Sequence, residues 1–349
     1  RSPSRGLGDV YKRQHPHIGT NKLPKIITNM REAIIHAGGE VHFNTKLTDL
    51  SLNKGRVDAI QLNDNEWQSF DEVILATGHS ARDIFYLLHD KKIKIEAKPF
   101  AIGVRIEHQQ ELIDAIQYHS DSDNPYLPPA SYALVDQVDG MGVYSFCMCP
   151  GGIIAPCATA QDEVVTNGWS PSKRNNPYAN SGIVVSVAPE DLPNFTPENP
   201  FVCLDFQKEV EHACWEAAGK TQRVPAQRMI DFVEGKISID FPKTSYQPGI
   251  VSVDLNTVLP ELISKRLRKA FISFGRKMKG YFTNKAILHA PESRTSSPIS
   301  IPRNVDTLEH VEVVGLYPCG EGAGYAGGII SAAIDGINCV DAIAKKYSE

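Results

Sequence analysis

A glycine-rich segment near the carboxyl end has the composition of a turn that lets a ligand approach the backbone closely. Residues 318–328 have the sequence PCGEGAGYAGG and lie between an apolar run, residues 311–317, and a stretch with helical spacing, residues 329–345. Because glycine and alanine carry little or no side chain, main-chain N–H groups there can point at a ligand, and the amino end of the following helix adds partial positive charge. This pattern suits phosphate groups or the pyrimidine carbonyl of a flavin.

The residue types in that turn narrow the choice of ligand. No Lys-Ser or Lys-Thr pair follows the glycines, so the segment is not a Walker loop. Glu321 would repel a bare phosphate, but its carboxylate can accept hydrogen bonds from sugar or ribityl hydroxyls. The alternative is a helix start made of small residues that only packs tightly against a sheet.

Two cysteines form a second candidate for chemistry. Cys147 and Cys149 are two residues apart, so in an extended strand both would face one side, just before the turn at residues 150–152. They could act as a thiol redox partner of a flavin, or they could be a buried structural pair.

Arg294 is a third candidate, because three hydroxyl residues follow it directly. A guanidinium with neighbouring hydroxyls could bind an anionic or carbonyl-bearing substrate, and the alternative is a salt bridge with hydrogen bonds at the end of a strand. We take Cys149 and Arg294 as the candidate catalytic residues.

Other polar residues allow weaker interpretations. Arg105 and Glu107 alternate with apolar residues, so they share one strand face, which could line a cleft or be exposed to solvent. His79 could be an acid or base, or could simply pack. His212 and Cys214 lie on a helical stretch, where side chains two residues apart diverge, and we predict no metal site.

The elements that would position these residues follow from hydrophobic periodicity and turn residues. Residues 73–76 are a continuous apolar run, typical of a strand buried on both faces of a parallel sheet. Ser80 and Asp83 have capping-box spacing for the next helix. The pattern before them predicts a helix after Thr20, a strand at residues 40–45, a hairpin of residues 47–52 and 56–62, and a third β-like run around residues 67–70.

From about residue 98 to residue 303 the pattern changes. Prolines and glycines cluster between short β-like runs, such as residues 100–107 and 182–187, and helical stretches at about residues 108–118, 204–218 and 257–279. This mixture predicts an inserted α+β domain with long loops.

The glycine-rich turn, together with ATGHSARD at residues 76–83, resembles the uncharacterised FAD-dependent dehydrogenases of the flavoprotein superfamily with two dinucleotide-binding domains. The resemblance covers essentially everything after residue 14. Further matching stretches are HPHIGT (15–20), KPFAIGVRIEH (98–108), YSFCMCPGG (144–152), VVTNGWS (164–170) and RTSSPI (294–299).

The resemblance implies an α/β fold with a discontinuous, partial Rossmann-like FAD-binding domain at residues 15–97 and 304–349, and an inserted α+β substrate domain at residues 98–303. It implies that Glu321 holds the ribityl chain and that the next residues form a backbone cradle for the flavin. The cofactor-binding residues that it implies are Thr77, Gly78, Gly320, Glu321, Gly322, Ala323, Gly324, Tyr325, Ala326, Gly327, Gly328 and Ile329.

The amino end departs from that family pattern. Members open with a βαβ unit that carries G-x-G-x-x-G for the ADP half of FAD, and nothing in residues 1–70 supplies it. Residues 1–14, RSPSRGLGDVYKRQ, show neither helical nor strand periodicity and look like translated adapter sequence. We therefore expect a non-native leader, a chain truncated before its first βαβ unit, and weak retention of FAD or none at all.

Composition limits the remaining classes of function. The formal net charge is −5, with 41 acidic and 36 basic residues, which argues against a nucleic-acid binder held by a diffuse basic field. No apolar run approaches the roughly 18 residues of a membrane-spanning helix. The 7 cysteines show no evenly spaced framework, so we expect reduced thiols and a cytoplasmic protein.

Together these observations predict an FAD-dependent oxidoreductase that transfers hydride between flavin and an unidentified small organic substrate. NAD(P)H is a candidate electron partner. The alternative is a flavin-binding RNA-modifying or RNA-associated protein that uses the basic run at residues 265–279. A third interpretation is an inert fragment.

Overall fold

The chain has a mixed α/β structure, seen in a computed structural model that describes residues 17–119 and 126–348. The strands in these ranges are β1 (Leu47–Asn53), β2 (Arg56–Leu62), β3 (Glu66–Ser69), β4 (Val73–Leu75), β5 (Glu96–Ala97), β6 (Phe100–Gln109), β7 (Val135–Val138), β8 (Met141–Cys149), β9 (Ile153–Pro156), β10 (Thr166–Trp169), β11 (Tyr178–Val187), β12 (Val224–Arg228), β13 (Ile250–Ser252), β14 (Ile287–Glu292), β15 (Ile299–Ser300) and β16 (Leu316–Pro318). The α-helices are α1 (Leu23–His36), α2 (Arg82–Asp90), α3 (Gln110–Tyr118), α4 (Val202–Ala217), α5 (Met229–Glu234), α6 (Leu255–Val258), α7 (Glu261–Lys277) and α8 (Ile329–Lys346).

The largest element is a seven-stranded mixed sheet with the order β13-β12-β14-β6-β11-β8-β7. Strands β12 and β13 are parallel, and the other neighbours are antiparallel. At its centre β6 and β11 pair along their whole length, from Phe100 opposite Val187 to Gln109 opposite Tyr178. Because β6 is buried along nearly its whole length, this pair forms the centre of the main core.

The main core forms between this sheet and the helices that cover it. Helix α7 buries Leu267, Phe271 and Phe274 completely, at the spacing of one helical face. Each such side chain contributes roughly 1.5–3 kcal/mol when it leaves water. The predicted helix at residues 257–279 is therefore confirmed in type, although the structure divides it into α6 and α7.

The predicted hairpin near the amino end is also confirmed. Strands β1, β2 and β3 form an antiparallel three-stranded sheet in that order. The loop between β1 and β2 consists of Lys54 and Gly55, with φ of 51° and 77°. Positive φ at both loop residues is the conformation that fits the right-handed twist of the two strands.

Two short strands that lie far apart in sequence pair with each other and bring residues 73–75 beside residues 316–318. Strand β4 pairs in parallel with β16, with Val73 opposite Leu316 and Leu75 opposite Pro318. The large sheet is formed by the chain between these two strands, and the β5–β15 pair lies where the chain enters and leaves it. The carboxyl ends of β4 and β16 consequently lie side by side.

The strand predicted at residues 40–45 is wrong. These residues are irregular, and Phe43 is 68% exposed. Alternation of apolar and polar residues marks a strand only where a neighbour accepts its hydrogen bonds, and within residues 17–119 and 126–348 no strand pairs with this segment. The strand predicted at residues 311–317 is shorter than expected, because a turn joins His310 N–H to the carbonyl of Leu316 at 2.7 Å.

Two local predictions around β4 are wrong as well. Ile74 is 36% exposed, because β4 pairs only with β16 in the described chain and is not buried on both faces. Ser80 does not cap the next helix: α2 begins at Arg82 after Ala81. The Ser80 hydroxyl instead accepts a hydrogen bond from Arg294 Nη1 at 3.1 Å, so a tertiary contact replaces the cap.

The terminal helices have apolar faces that lie outside the main core. In α1, Ile27 is 59% exposed, and in α8, Ile337 is 60% exposed. The hydrophobic periodicity correctly predicts that both segments are helices. The apolar faces of the two helices are nevertheless largely exposed in this chain.

Two further points concern the limits of the described chain. The predicted leader, residues 1–14, and the first two residues of HPHIGT lie outside the described residues. Within the described ranges, no helix is both long and apolar enough to cross a membrane.

Candidate functional site

The turn after β4 and the turn after β16 are in direct main-chain contact. Parallel neighbours end at the same edge of a sheet, and this places Thr77 and Gly78 beside the glycine-rich segment. A Cβ added to Gly322 would lie 2.5 Å from the carbonyl oxygen of Gly78. Only glycine fits at this approach, so the two turns form one surface.

Glu321 pairs with one basic side chain on that surface and acts electrostatically on a second. Its Oε1 is 3.3 Å from His79 Nδ1, and both side chains are partly buried. Burial lowers the pKa of Lys98, although the negative charge of Glu321 opposes this shift. Sequence reasoning identified Glu321 and His79 but missed Lys98; the available signal was its position at the start of the distinctive segment KPFAIGVRIEH.

A buried ion pair between Asp335 and Arg303 anchors the main chain of the glycine-rich turn at Gly320. Asp335 Oδ2 accepts a hydrogen bond from Gly320 N–H at 2.7 Å, and its Oδ1 lies 2.6 Å from Arg303 Nη2. Although burial alone would raise the pKa of Asp335, the Arg303 guanidinium and the Gly320 N–H hold it below its ordinary value. Cys319 and Cys339 are close to this carboxylate, but the adjacent Arg303 disfavours a cation there.

The amino end of α8 carries free hydrogen-bonding capacity. Gly328 is its N-cap, and no side chain in the described part of the protein caps it. The first N–H groups of a helix have no partner within the helix, and they concentrate its partial positive charge. A Cβ on Gly327 would have no heavy atom of the described residues within 4 Å. These residues therefore fit the flavin end of a cofactor: open space lies beside exposed donors.

A cavity of about 350 Å³ lies against this helix end. Its volume is near the lower limit of typical small-molecule sites, roughly 300–1,000 Å³. It is lined by His17, Ile18, Gly19, Thr20, Leu23, Cys147, Met148, Cys149, Pro150, Gly168, Ser170, Arg174, Ile329 and Ile330. The structure thus brings the predicted cysteine pair and the first turn of α8 to the walls of one cavity.

The two cysteines do not lie in a regular extended strand. Cys147 has a φ of 46°, and the pairing of β8 with β11 shifts register next to it. Cys147 is exposed, whereas Cys149 is 5% exposed and donates a hydrogen bond from Sγ to the Cys147 carbonyl at 3.4 Å. Both thiols line the cavity, but they differ in exposure, because the left-handed residue interrupts the regular strand.

A buried arginine lies beneath the cysteine pair. Arg105 makes a two-pronged ion pair with Glu292, at 2.6 Å and 3.0 Å, and donates through Nη1 to Asn180 Oδ1 at 2.8 Å and to the Cys147 carbonyl at 3.3 Å. Arg105 and Glu107 are both fully or nearly fully buried, so the alternative of a solvent-exposed strand face is wrong.

These neighbours separate the pKa values of the two thiols. A hydrogen bond from Cys149 and the Arg105 guanidinium lower the pKa of Cys147 to about 6, against burial and the Glu292 carboxylate. The hydrogen bond to Cys147 and burial raise the pKa of Cys149. The directions of these two pKa shifts favour Cys147 over Cys149 as the thiolate of the pair.

Arg294 lies in a separate buried cluster of charges. Its Nε is 2.7 Å from Glu211 Oε1, its Nη2 is 3.4 Å from Glu163 Oε2, and Arg82 Nη2 is 2.7 Å from Glu211 Oε2. The contacts match the salt-bridge alternative, and Arg294 is not among the residues that line the cavity described above. A catalytic role for Arg294 stays a prediction.

The basic run that motivated the RNA alternative lies on α7. Lys265 pairs with Glu261, Lys269 with Asp139 and Lys277 with Asp136. These contacts partly neutralise the helix, and nothing in them favours a nucleic-acid partner.

Comparison with known proteins identifies the class of protein to which the chain belongs. The chain belongs to the family described as FAD-dependent protein, C-terminal domain-like, whose model matches residues 99–295. The matched region contains every strand of the seven-stranded sheet. Family membership indicates a flavoprotein and supports the prediction of FAD.

A relative from Clostridium beijerinckii, an uncharacterised protein, is 40% identical over 335 residues, which cover 95% of this chain and 62% of the relative. The chain therefore spans less than two thirds of the length of that relative. The α/β class is confirmed, whereas the Rossmann-like details, the division into domains and the individual site residues stay predictions.

Proposed function

We propose that this chain is part of an FAD-dependent oxidoreductase in which residues 320–329 hold the flavin end of the cofactor. The observation that carries the proposal is the uncapped amino end of α8, which lies at a cavity whose wall includes Ile329 and Ile330. A flavin gains negative charge near its pyrimidine carbonyl on reduction, and a helix amino end stabilises charge of that sign.

The neighbouring residues have complementary roles in this proposal. Glu321 accepts hydrogen bonds from the ribityl hydroxyls, while His79 orients its carboxylate and Lys98 offsets its charge. Thr77 and Gly78 supply the second wall through their main chain. Bound FAD supplies the hydride chemistry, and the protein orients the substrate and limits access of water.

The substrate side of the reaction follows from the predicted domains. We assign residues 15–97 and 304–349 to the FAD-binding part and residues 98–303 to substrate binding, with NAD(P)H as a candidate electron partner. The cavity wall at residues 147–150 supports this division, because it approaches the helix end from the large sheet.

Two alanine substitutions test the flavin site. In Gly327→Ala the new methyl group has no heavy atom of the described residues within 4 Å, so we expect the fold to be preserved. The methyl group would occupy the space that the proposal assigns to the flavin. The matched control is Gly336→Ala on α8, where an added Cβ also meets no described heavy atom within 4 Å. We expect saturable quenching of FAD fluorescence by the unmodified chain and by the control, and at least a tenfold weaker affinity in Gly327→Ala, about 1.4 kcal/mol.

Two results would contradict the proposal. One is the lack of any saturable change when FAD is titrated to millimolar concentration. The other is an unchanged affinity in Gly327→Ala, which would mean that the flavin does not lie at the start of α8.

A further inference from the structure

The cysteine pair has a geometry that a merely structural pair does not require. Cys147 and Cys149 both line the cavity whose wall also includes Ile329 and Ile330 of α8. The positive φ of Cys147 exposes its thiol, while Cys149 stays buried behind it and hydrogen-bonds to its carbonyl. The pair thus consists of an accessible thiol, Cys147, and a buried thiol, Cys149, two residues apart.

The surroundings of the pair are charged, polar and held in place. Arg105 is fixed by its two-pronged pairing with Glu292, and it contacts the Cys147 carbonyl. Asn180 is completely buried, and its Nδ2 has no hydrogen-bond partner in the described chain. Arg105 Nη1, Asn180 Oδ1 and Cys149 Sγ all lie within 3 Å of the position that a Cβ on Gly168 would take, so the Asn180 side chain lies near Cys149. The Arg105 cation beside the pair favours negative charge on sulfur, and the unpaired amide of Asn180 leaves buried donor capacity in the same region.

We propose that Cys147 and Cys149 form a redox-active dithiol that exchanges two electrons with the flavin, with Cys147 as the attacking thiolate and Cys149 as its partner. The electron acceptor in this statement rests on the proposed function, whereas the dithiol itself does not. In the oxidising direction the S–H bond of Cys149 breaks and one S–S bond forms. The thiolate and the thiol together lose two electrons and one proton, and oxidised flavin gains both electrons and the proton.

The pH dependence of this chemistry comes from groups on several elements. Cys149, Arg105 and Glu292 act on Cys147 from β8, β6 and β14, and Arg174 and His17 line the same cavity. The first two stabilise the thiolate and Glu292 opposes it, with the thiolate favoured overall. We expect Cys147 to react with electrophiles well below the pH at which an ordinary thiol does.

The first experiment uses the full chain without flavin. Alkylation by iodoacetamide is followed from pH 5 to pH 9 (roughly the range that spans shifted and ordinary thiols), and the labelled cysteine is located by tandem mass spectrometry. Cys157, which is partly buried, is the internal reference. We expect Cys147 to react at least about tenfold faster than Cys157 at neutral pH. Equal rates and equal pH profiles would overturn the proposal.

The second experiment tests formation of the disulfide. Mild oxidation with diamide should remove two hydrogens and link Cys147 to Cys149. Cys147→Ser and Cys149→Ser should abolish this product, while the control Cys157→Ser should keep it. If the unmodified chain yields no such disulfide, the two cysteines are structural and the proposal fails.

The third experiment tests the link to flavin. When reduced chain is mixed with FAD without oxygen, we expect loss of the flavin absorption band together with one disulfide per reduced flavin, and no bleaching with Cys147→Ser. A reactive dithiol with no FAD binding would overturn the flavin site and the electron exchange but leave the dithiol standing. FAD binding with unreactive cysteines would overturn the dithiol alone.

Discussion

At the scale of single residues, several glycines lie so close to neighbouring atoms that no side chain would fit. Gly168 is the clearest of them, because a Cβ there would lie 2.8 Å from Cys149 Sγ and closer still to Arg105 Nη1. The residue lies on β10 and lines the cavity. Because Gly168 has no side chain, Arg105 and Cys149 can occupy their positions.

We predict that Gly168→Ala destabilises the protein by about 1–3 kcal/mol, the usual cost of inserting a methyl group into a packed interior. It should also slow alkylation of Cys147, because Arg105 must move. The control is Gly142→Ala on β8, whose Cβ would approach only the side-chain ends of Ser186 and Gln137, at 3.2 Å and 3.7 Å. Urea unfolding measures both variants, and equal stability of the two would show that the contact at Gly168 relaxes freely.

A second prediction at this scale concerns Glu321. Glu321→Gln keeps the shape of the side chain but removes the charge that pairs with His79 and acts on Lys98. We expect FAD affinity to fall about tenfold, because a neutral amide is a weaker acceptor for hydroxyls than a carboxylate. The pKa of Lys98 should fall further below its ordinary value, since the negative charge of Glu321, which opposes the effect of burial, is lost.

Isothermal titration with FAD and NMR titration of Lys98 measure the two effects separately. A lower Lys98 pKa with unchanged FAD affinity would place Glu321 away from the ribityl chain. The control for folding is the thermal melting curve of the variant.

At the scale of elements, α2, α4 and the end of β14 are joined by buried charges. Arg82 of α2 and Arg294 after β14 both contact Glu211 of α4, which is completely buried. Burial would raise the pKa of Glu211, but the two guanidinium groups keep it below its ordinary value. Because Glu211 and Glu163 together face the two guanidinium groups, loss of the Glu211 charge leaves one buried positive charge uncompensated.

We predict that Glu211→Gln lowers the free energy of unfolding by about 3–5 kcal/mol, as expected when one partner of a buried ion pair is removed. The matched control is Lys269→Ala, which breaks a pair in which the side chains are 58% and 47% exposed, and it should cost at most about 1 kcal/mol. Equal, small losses in both variants would mean that the cluster does not hold these elements together.

The same elements show what the sequence can predict. Strands β6 and β11 and helices α4 and α7 were predictable, because each has enough apolar residues at one period to define its type. The contact between the turns after β4 and β16 was not derivable from spacing, and came only from the family resemblance. The left-handed Cys147 and the burial of Arg105 were not predictable either. Both depend on partners such as Glu292 that lie far away in sequence.

At the scale of the whole molecule, stability should depend on pH through two buried histidines. Burial lowers the pKa of His108 and of His289 to about 4. His108 Nε2 donates to the Tyr281 carbonyl at 3.0 Å, and His289 lies 2.9 Å from Thr244 Oγ1. Both side chains are fully or nearly fully enclosed, so protonation has to occur without access to solvent.

The direction in which stability changes with pH follows from proton linkage. The unfolded chain binds protons at these two histidines near pH 6.5, whereas the folded chain does so near pH 4, so the unfolded state is favoured increasingly as the pH falls through this window. Each histidine should remove about 3 kcal/mol of stability by pH 4. Glu107 acts in the opposite direction, because burial raises the pKa of its carboxyl and the folded state then binds a proton more readily.

We therefore predict that the free energy of unfolding falls between pH 6.5 and pH 4, and that His108→Gln makes this slope shallower even if it lowers stability at every pH. The slope of urea-unfolding free energy against pH is the measurement. His36→Gln, on the exposed surface of α1, is the control and should keep the original slope. An unchanged slope in His108→Gln would mean that His108 is protonated in the folded protein as readily as in the unfolded chain, and that its environment is far more polar than the packed centre of the sheet allows.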